Sequence, residues 1–257
     1  MRRQILIFLA GLVIAAVLLN PIAVAENESA EVHFVNGLVY YALGFTDMAA
    51  RELKRATELA PEDIEARIAL GAAYQGKDDF DNAITTYQGI LDLDDSLTYV
   101  HCLLGDAYRA KDNADKARFH YLKAKDDDEL IVGPAYGLGT LAEAAGDTEL
   151  AMKYYQEALA ASPDHVGAAL QLVGILGGQG NVEEGLDVLI DANRYNPREP
   201  ELHYMWGLLH IQEANYADAL HEFERVLQLD EDHKGAQLEL RRVKDLLEDD
   251  DEPSNSL

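Results

Sequence analysis

Basic residues and cysteine are what this chain has least of. It sets 21 Lys and Arg against 47 Asp and Glu, a net charge of -26. A nucleic-acid partner is held through a basic face that neutralises phosphates, so that class is disfavoured. An anionic membrane surface repels such a chain as well. The one cysteine, Cys102, excludes an intramolecular disulfide framework, a four-cysteine zinc site and a Cys-x-x-Cys redox pair. Phosphate loops are missing too: Gly177-Gly178-Gln179-Gly180 lacks a Gly-Lys-Ser/Thr ending and follows no strand pattern. The acid cluster Asp126-Asp127-Asp128-Glu129 does not alternate as a calcium loop must, and reads as a solvated loop. What is present, 48% hydrophobic and 26% charged residues over 257 positions, is the composition of a globular chain with a substantial core.

The first 25 residues differ in kind from the rest. Arg2 and Arg3 precede an apolar run from Ile5 to Leu19, and Ala23-Val24-Ala25 then offers small residues before Glu26. A basic start, an apolar middle and an A-x-A site describe a secretion signal cleaved after Ala25. The alternative is a retained inner-membrane anchor. The run counts 15 residues where a membrane helix needs about 20, which favours cleavage. No cysteine follows the run, so a bacterial lipoprotein signal is not expected. These features predict a periplasmic or secreted protein, with residues 26–29 a short linker. At the other end, residues 248–257 are a charge run without apolar period, expected to be a disordered acidic tail.

Between these ends the chain repeats. Glycine recurs at Gly37, Gly71, Gly105, Gly139 and Gly207, with Val173 at the skipped place, a period of 34 residues. Twelve positions further on stand Ala49, Ala83, Ala117, Ala151, Gly185 and Ala219. Aromatics recur at Tyr40, Tyr74 and Tyr108 and again at Tyr87, Tyr121, Tyr155 and Phe223, and proline closes units at Pro61, Pro163 and Pro197. Two apolar-periodic stretches flank a turn-rich segment in each unit, the pattern of a helical hairpin. This set resembles the tetratricopeptide repeat. The resemblance implies an all-α, right-handed superhelical solenoid of six hairpins, at 30–63, 64–97, 98–131, 132–165, 166–199 and 200–233; after it, the apolar spacing of Ala236, Leu240, Val243 and Leu247 predicts a capping helix over 234–247. The fifth unit gathers six glycines, Gly167, Gly174, Gly177, Gly178, Gly180 and Gly185, and is expected to be the weakest joint.

Catalytic chemistry has few candidates. His101 and Cys102 adjoin, but consecutive helical residues point about 100° apart, a poor arrangement for proton transfer. A hydrolase using that pair is the reading from another class, and the expectation is no enzyme, no cofactor and no metal. His33, His101 and His203 share the fourth position of their units yet lie in separate repeats, too far apart for one metal, and read as structural. The family resemblance points instead to the first helix of each hairpin, whose second, fifth, ninth and twelfth residues line a concave groove. On those positions stand Glu31, Phe34, Leu38 and Tyr41; Glu65 and Ile68; Tyr99, Asp106 and Arg109; Tyr136 and Glu143; Tyr204, Leu208 and Ile211. The Lys, Arg and Asn clamp with which some members grip a peptide carboxylate is missing. The expected function is therefore a noncatalytic protein-protein adaptor or assembly factor of the cell envelope. Its groove, acidic and aromatic-lined, would take a basic or apolar segment of an envelope or secreted protein.

Overall fold

The computed structural model describes residues 29–127 and 132–251. The apolar run 5–19, the Ala23-Val24-Ala25 site, Asp128, Glu129 and residues 252–257 lie outside the described residues, and with them the signal, most of the linker and the end of the tail. Among the described residues every regular element is an α-helix. The helices fall into two compact units, one ending at Ala124 and one starting at Lys125.

The first unit holds three hairpins: α1 (Ala30–Ala42) with α2 (Thr46–Leu59), α3 (Ile64–Gln75) with α4 (Phe80–Leu91), and α5 (Thr98–Ala110) with α6 (Ala114–Asp127), whose residues from Lys125 on fall in the second. The second unit holds α7 (Val132–Ala144) with α8 (Thr148–Ala161), α9 (Val166–Gly178) with α10 (Val182–Tyr195), and α11 (Pro200–Gln212) with α12 (Tyr216–Leu229). A last helix, α13 (Lys234–Asp251), packs on α11 and α12. The sequence places its end at 247 with disordered chain beyond, whereas the helix continues through Asp251. Leu240, Val243 and Leu247 anchor it to Phe223 and Val226, and the acids after Leu247 extend that anchored helix by one turn.

One turn geometry serves all six hairpins. The fifteenth residue of every repeat has positive φ: Gly44, Asp78, Asp112, Gly146, Gly180 and Ala214. The next residue's N–H then reaches back to the carbonyl of the eleventh, as in Phe45 to Tyr40 and Asn215 to His210, each 2.9 Å. This bond returns an otherwise orphaned carbonyl at the helix end to a partner. Glycine adopts that conformation freely and Asp tolerates it, but at Ala214 (φ 56°) the Cβ crowds the following carbonyl. Ala214→Gly is therefore expected to stabilise the second unit by about 1 kcal/mol, read as a higher urea midpoint with unchanged slope.

The repeat glycines are set by close packing. A Cβ on Gly71 would meet Tyr87 Cε1 at 2.2 Å, on Gly105 Tyr121 at 2.5 Å, on Gly139 Tyr155 at 2.6 Å and on Gly207 Phe223 at 2.6 Å. The bare glycine backbone is the seat on which the buried ring of the partner helix rests. In the fifth repeat Val173 holds the glycine position, and the opposing side chain is the smaller Leu189. The small-residue role moves there to Gly177 and Gly185, where added Cβ atoms would meet Leu209 of the next repeat at 2.9 and 3.0 Å. Two of the six glycines thus receive a neighbour's leucine.

Candidate functional site

In the first unit the groove positions of α1 and α3 come together. Phe34, Leu38, Tyr41, Glu65 and Ile68, with Leu53, Ala69 and Ala72, line one cavity of about 340 Å³. Phe34 packs over the buried Ala49, Ala50, Leu53, Leu70 and Ala73. Leu38 and Tyr41 stay exposed by 42% and 43%, a large apolar area left in water. Glu65 is the one ionisable acid of the lining, and Glu31 is exposed one helical turn before Phe34.

Further along the repeats, the groove positions do other work. Tyr99 is exposed, but Asp106 and Arg109 are tied to the hairpin's own core. The Tyr121 hydroxyl donates to Asp106 Oδ1 at 2.6 Å and accepts from Arg109 Nε at 3.2 Å, and Arg109 Nη2 lies 3.7 Å from Asp106 Oδ1. Glu143 accepts from the Tyr155 hydroxyl at 2.6 Å, and Gln75 from Tyr87 at 2.7 Å. Burial raises the phenol pKa of Tyr87 and Tyr121, so these hydroxyls stay protonated donors.

The twelfth residue of a repeat thus answers the twenty-fourth. Where the latter is Tyr the former is Gln75, Arg109 or Glu143; where it is Leu53, Leu189 or Phe223 the former is Tyr41, Gly177 or Ile211. That covariation within one chain was the signal in the sequence that these polar twelfth residues have a structural duty. It escapes a reading of each position by itself.

Histidine behaves similarly. His165 and His233, the last residues of their repeats, cap the following helices by accepting from the N–H groups of Ala168 and Ala236 at 2.9 and 3.0 Å. Each ring also lies against a groove tyrosine, Tyr136 at 4.7 Å and Tyr204 at 4.9 Å between centroids. Tyr204, Leu208 and Ile211 moreover pack against the core that α13 completes, so in the last repeat the expected anchors are half-buried within the protein.

The fourth-position histidines reach the second helix nineteen residues on: His33 Nδ1 to Glu52 and His203 Nδ1 to Glu222, both 2.7 Å, and His101 Nδ1 to His120 Nδ1 at 2.9 Å. They are interhelical ties. Among the described residues no group of three or more His, Cys, Asp or Glu is placed to hold a metal. Burial, and then nearby Asp106, push the Cys102 thiol up to about 12, the wrong direction for a nucleophile. His120 is faced by His101, Tyr108, Phe119 and Lys116. Burial first, then His101 and Lys116, lower its pKa to about 4. Its neutral form is the folded form, so between its ordinary value near 6.5 and about 4 the unfolded chain binds the extra proton. Stability from this site is complete above the ordinary value and is lost as pH falls through that window. An NMR titration should place His120 near pH 4, and His120→Asn should flatten the parent's stability slope there.

Models of the tetratricopeptide repeat match residues 34–97, 98–126, 142–206 and 200–233. With the hairpins and their glycine seats, this makes the chain a member of the tetratricopeptide repeat family. Proteins of this family generally serve as noncatalytic scaffolds that bind other proteins or peptides. Among curated proteins, 77 residues are 29% identical to the lipoprotein NlpI homolog of Haemophilus influenzae, over 30% of this chain and 24% of that protein. The match therefore spans about a quarter of that relative's length. PilF of Pseudomonas aeruginosa superposes with a TM-score of 0.66 and 17% identity, over 83% of this chain and 97% of that one. The APC/C hetero-tetramer Cut9-Hcn1 gives a TM-score of 0.67 and 15% identity, over 94% of this chain and 46% of that one. YrrB, described as having an unusual peptide-binding site, gives 0.54 and 22%, over 75% and 100%. These structural likenesses are of fold. No helix among the described residues is long and apolar enough to cross a membrane.

Proposed function

We propose that this chain is a noncatalytic adaptor of the bacterial cell envelope that holds a segment of another protein against the first helices of its early repeats. The observation that carries this reading is the cavity between α1 and α3: Phe34, Leu38, Tyr41 and Ile68 leave an apolar socket of about 340 Å³, with Glu65 in its lining and Glu31 nearby. A matching segment presents an aromatic or aliphatic anchor flanked by Lys or Arg. Apolar burial supplies most of the affinity, while charge speeds encounter and rejects acidic segments. The apolar run behind Arg2 and Arg3 with its Ala23-Val24-Ala25 site supports export, and the curated relative's description as a lipoprotein agrees with an envelope setting.

The test uses a synthetic peptide with Leu and Phe anchors among lysines and measures its association and dissociation rates. Phe34→Ala with Tyr41→Ala should speed dissociation, and Glu31→Lys with Glu65→Lys should slow association. Both pairs lie at exposed or half-exposed positions, so the fold is retained. Unchanged rates in both double variants, or preference for an acidic peptide, would remove the groove from consideration.

A further inference from the structure

Positions 22 and 25 of each repeat lie on the second helix and are exposed in every hairpin. Repeat geometry therefore keeps these places in water whatever residue occupies them. Five repeats hold Arg51 and Lys54, Thr85 and Gln88, Lys153 and Gln156, Asp187 and Ile190, and His221 and Glu224. The third repeat holds Phe119, 56% exposed, and Leu122, 38% exposed. Only there are both positions apolar, and nothing in the hairpin's own packing calls for it: Phe119 touches the edge of the His120 ring at 5.2 Å and otherwise faces outward.

The charge beside this pair is locally net positive, with Asp115 the one acid a turn before Phe119. Arg118 and Lys123 flank it, both exposed, in a chain of net charge -26. Arg118 stands where the other repeats carry Ala50, Ile84, Met152, Leu186 and Leu220. Neither cation forms an ion pair with another described residue. Lys116, one turn earlier, lies over the Tyr108 ring at 4.9 Å, which holds a third positive charge on the same helix.

We propose that the outward face of α6 is a second docking surface, for an acidic amphipathic segment of a partner protein. Its apolar side chains cover Phe119 and Leu122 while its Asp or Glu residues meet Arg118 and Lys123. Charge complementarity selects this occupant: the chain as a whole repels an acidic segment, and α6 alone joins an apolar pair at these positions to flanking cations, whereas α2 offers Arg51 and Lys54 there without the apolar pair. The rings and stems supply the buried area, since Arg and Lys lay their apolar stems along a contact while keeping their charges outside. The proposal stands apart from the groove, which takes ligands of the opposite charge. If both hold, the protein bridges a basic segment and an acidic one.

The experiment uses the full chain purified from its host with three probes: a synthetic helix with Leu and Phe on one face and Glu on the other, the same helix with Lys for Glu, and phosphatidylglycerol vesicles. The acidic helix should bind and shift the amide resonances of α6. Phe119→Ser with Leu122→Ser, and separately Arg118→Glu with Lys123→Glu, should each weaken it at least about tenfold, and the Lys helix should bind α6 at least about tenfold more weakly. All four side chains are exposed, so matching circular dichroism keeps the comparison free of unfolding. Failure of the acidic helix to bind, or binding that survives both double variants, overturns the proposal. Vesicle binding that needs Phe119 and Arg118 when the acidic helix does not bind would reassign the face to membrane contact. The groove variants Phe34→Ala and Tyr41→Ala leave α6 intact, so loss of one surface is read independently of the other.

Discussion

Gly71→Ala should destabilise the first unit by about 2 kcal/mol although it improves helix propensity. The added Cβ would sit 2.2 Å from Tyr87 Cε1, inside any permitted contact. Tyr87 cannot retreat, because its ring is fully buried and its hydroxyl is held by Gln75 at 2.7 Å. Overpacking of this kind costs about 1–3 kcal/mol, and here the upper end applies. Alanine returns about 1 kcal/mol through propensity, which is too little to offset it. The fifth repeat shows the compensation: with Val173 at the glycine position, Leu189 replaces the ring. The double variant Gly71→Ala with Tyr87→Leu should therefore lose less than the sum of its single changes, with a coupling of about 1 kcal/mol or more in a urea-denaturation cycle. Simple additivity would mean that the glycine is not the seat of the ring.

Ala72→Phe should act in the opposite way on stability and strongly on binding. Ala72 lines the cavity between α1 and α3, and a phenyl ring there occupies space that Phe34, Leu38, Tyr41 and Ile68 leave open. The new ring gains apolar contacts without displacing a packed neighbour, so the midpoint of unfolding should stay level or rise. The lysine-rich peptide that tests the groove should lose at least about tenfold in affinity, since its anchor no longer enters. Retained affinity would place the peptide elsewhere. A fall in stability would show that the cavity is smaller than its walls indicate.

The two outcomes bear on different levels of the design. Glycine seats hold a ring in the second, third, fourth and sixth hairpins and Leu53 over Gly37 in the first, and concern the fold, whereas this cavity forms where a wide ring and small residues meet. Phe34 and Tyr41 project from α1 toward Ala69 and Ala72 of α3, and the alanines leave the space. In the last repeat the corresponding Tyr204, Leu208 and Ile211 are engaged by the core that α13 completes. Equivalent positions on equivalent helices therefore differ in what they offer a ligand.

The repeat itself was legible without coordinates. Gly, Ala and the aromatics recur at fixed intervals because each hairpin solves one local problem, how two helices approach closely around a ring, and that problem depends only on residues in the same hairpin. So the sequence alone determined the helices, their pairing, the turn between them and the family. The resemblance to the family pointed in addition to the positions of the first helices that could line a groove. Which of those positions remain free was decided by tertiary structure. Asp106, Arg109 and Glu143 look like surface charges until Tyr121 and Tyr155 reach them across the hairpin, and Tyr136 looks like an anchor until the His165 ring lies against it. The physical reason is that a side chain's availability depends on the length and chemistry of a partner on another helix, which periodicity does not encode. Phe119 shows the converse: its helical position was readable from the period, but its meaning emerges only once the same position is seen to be exposed in every other repeat.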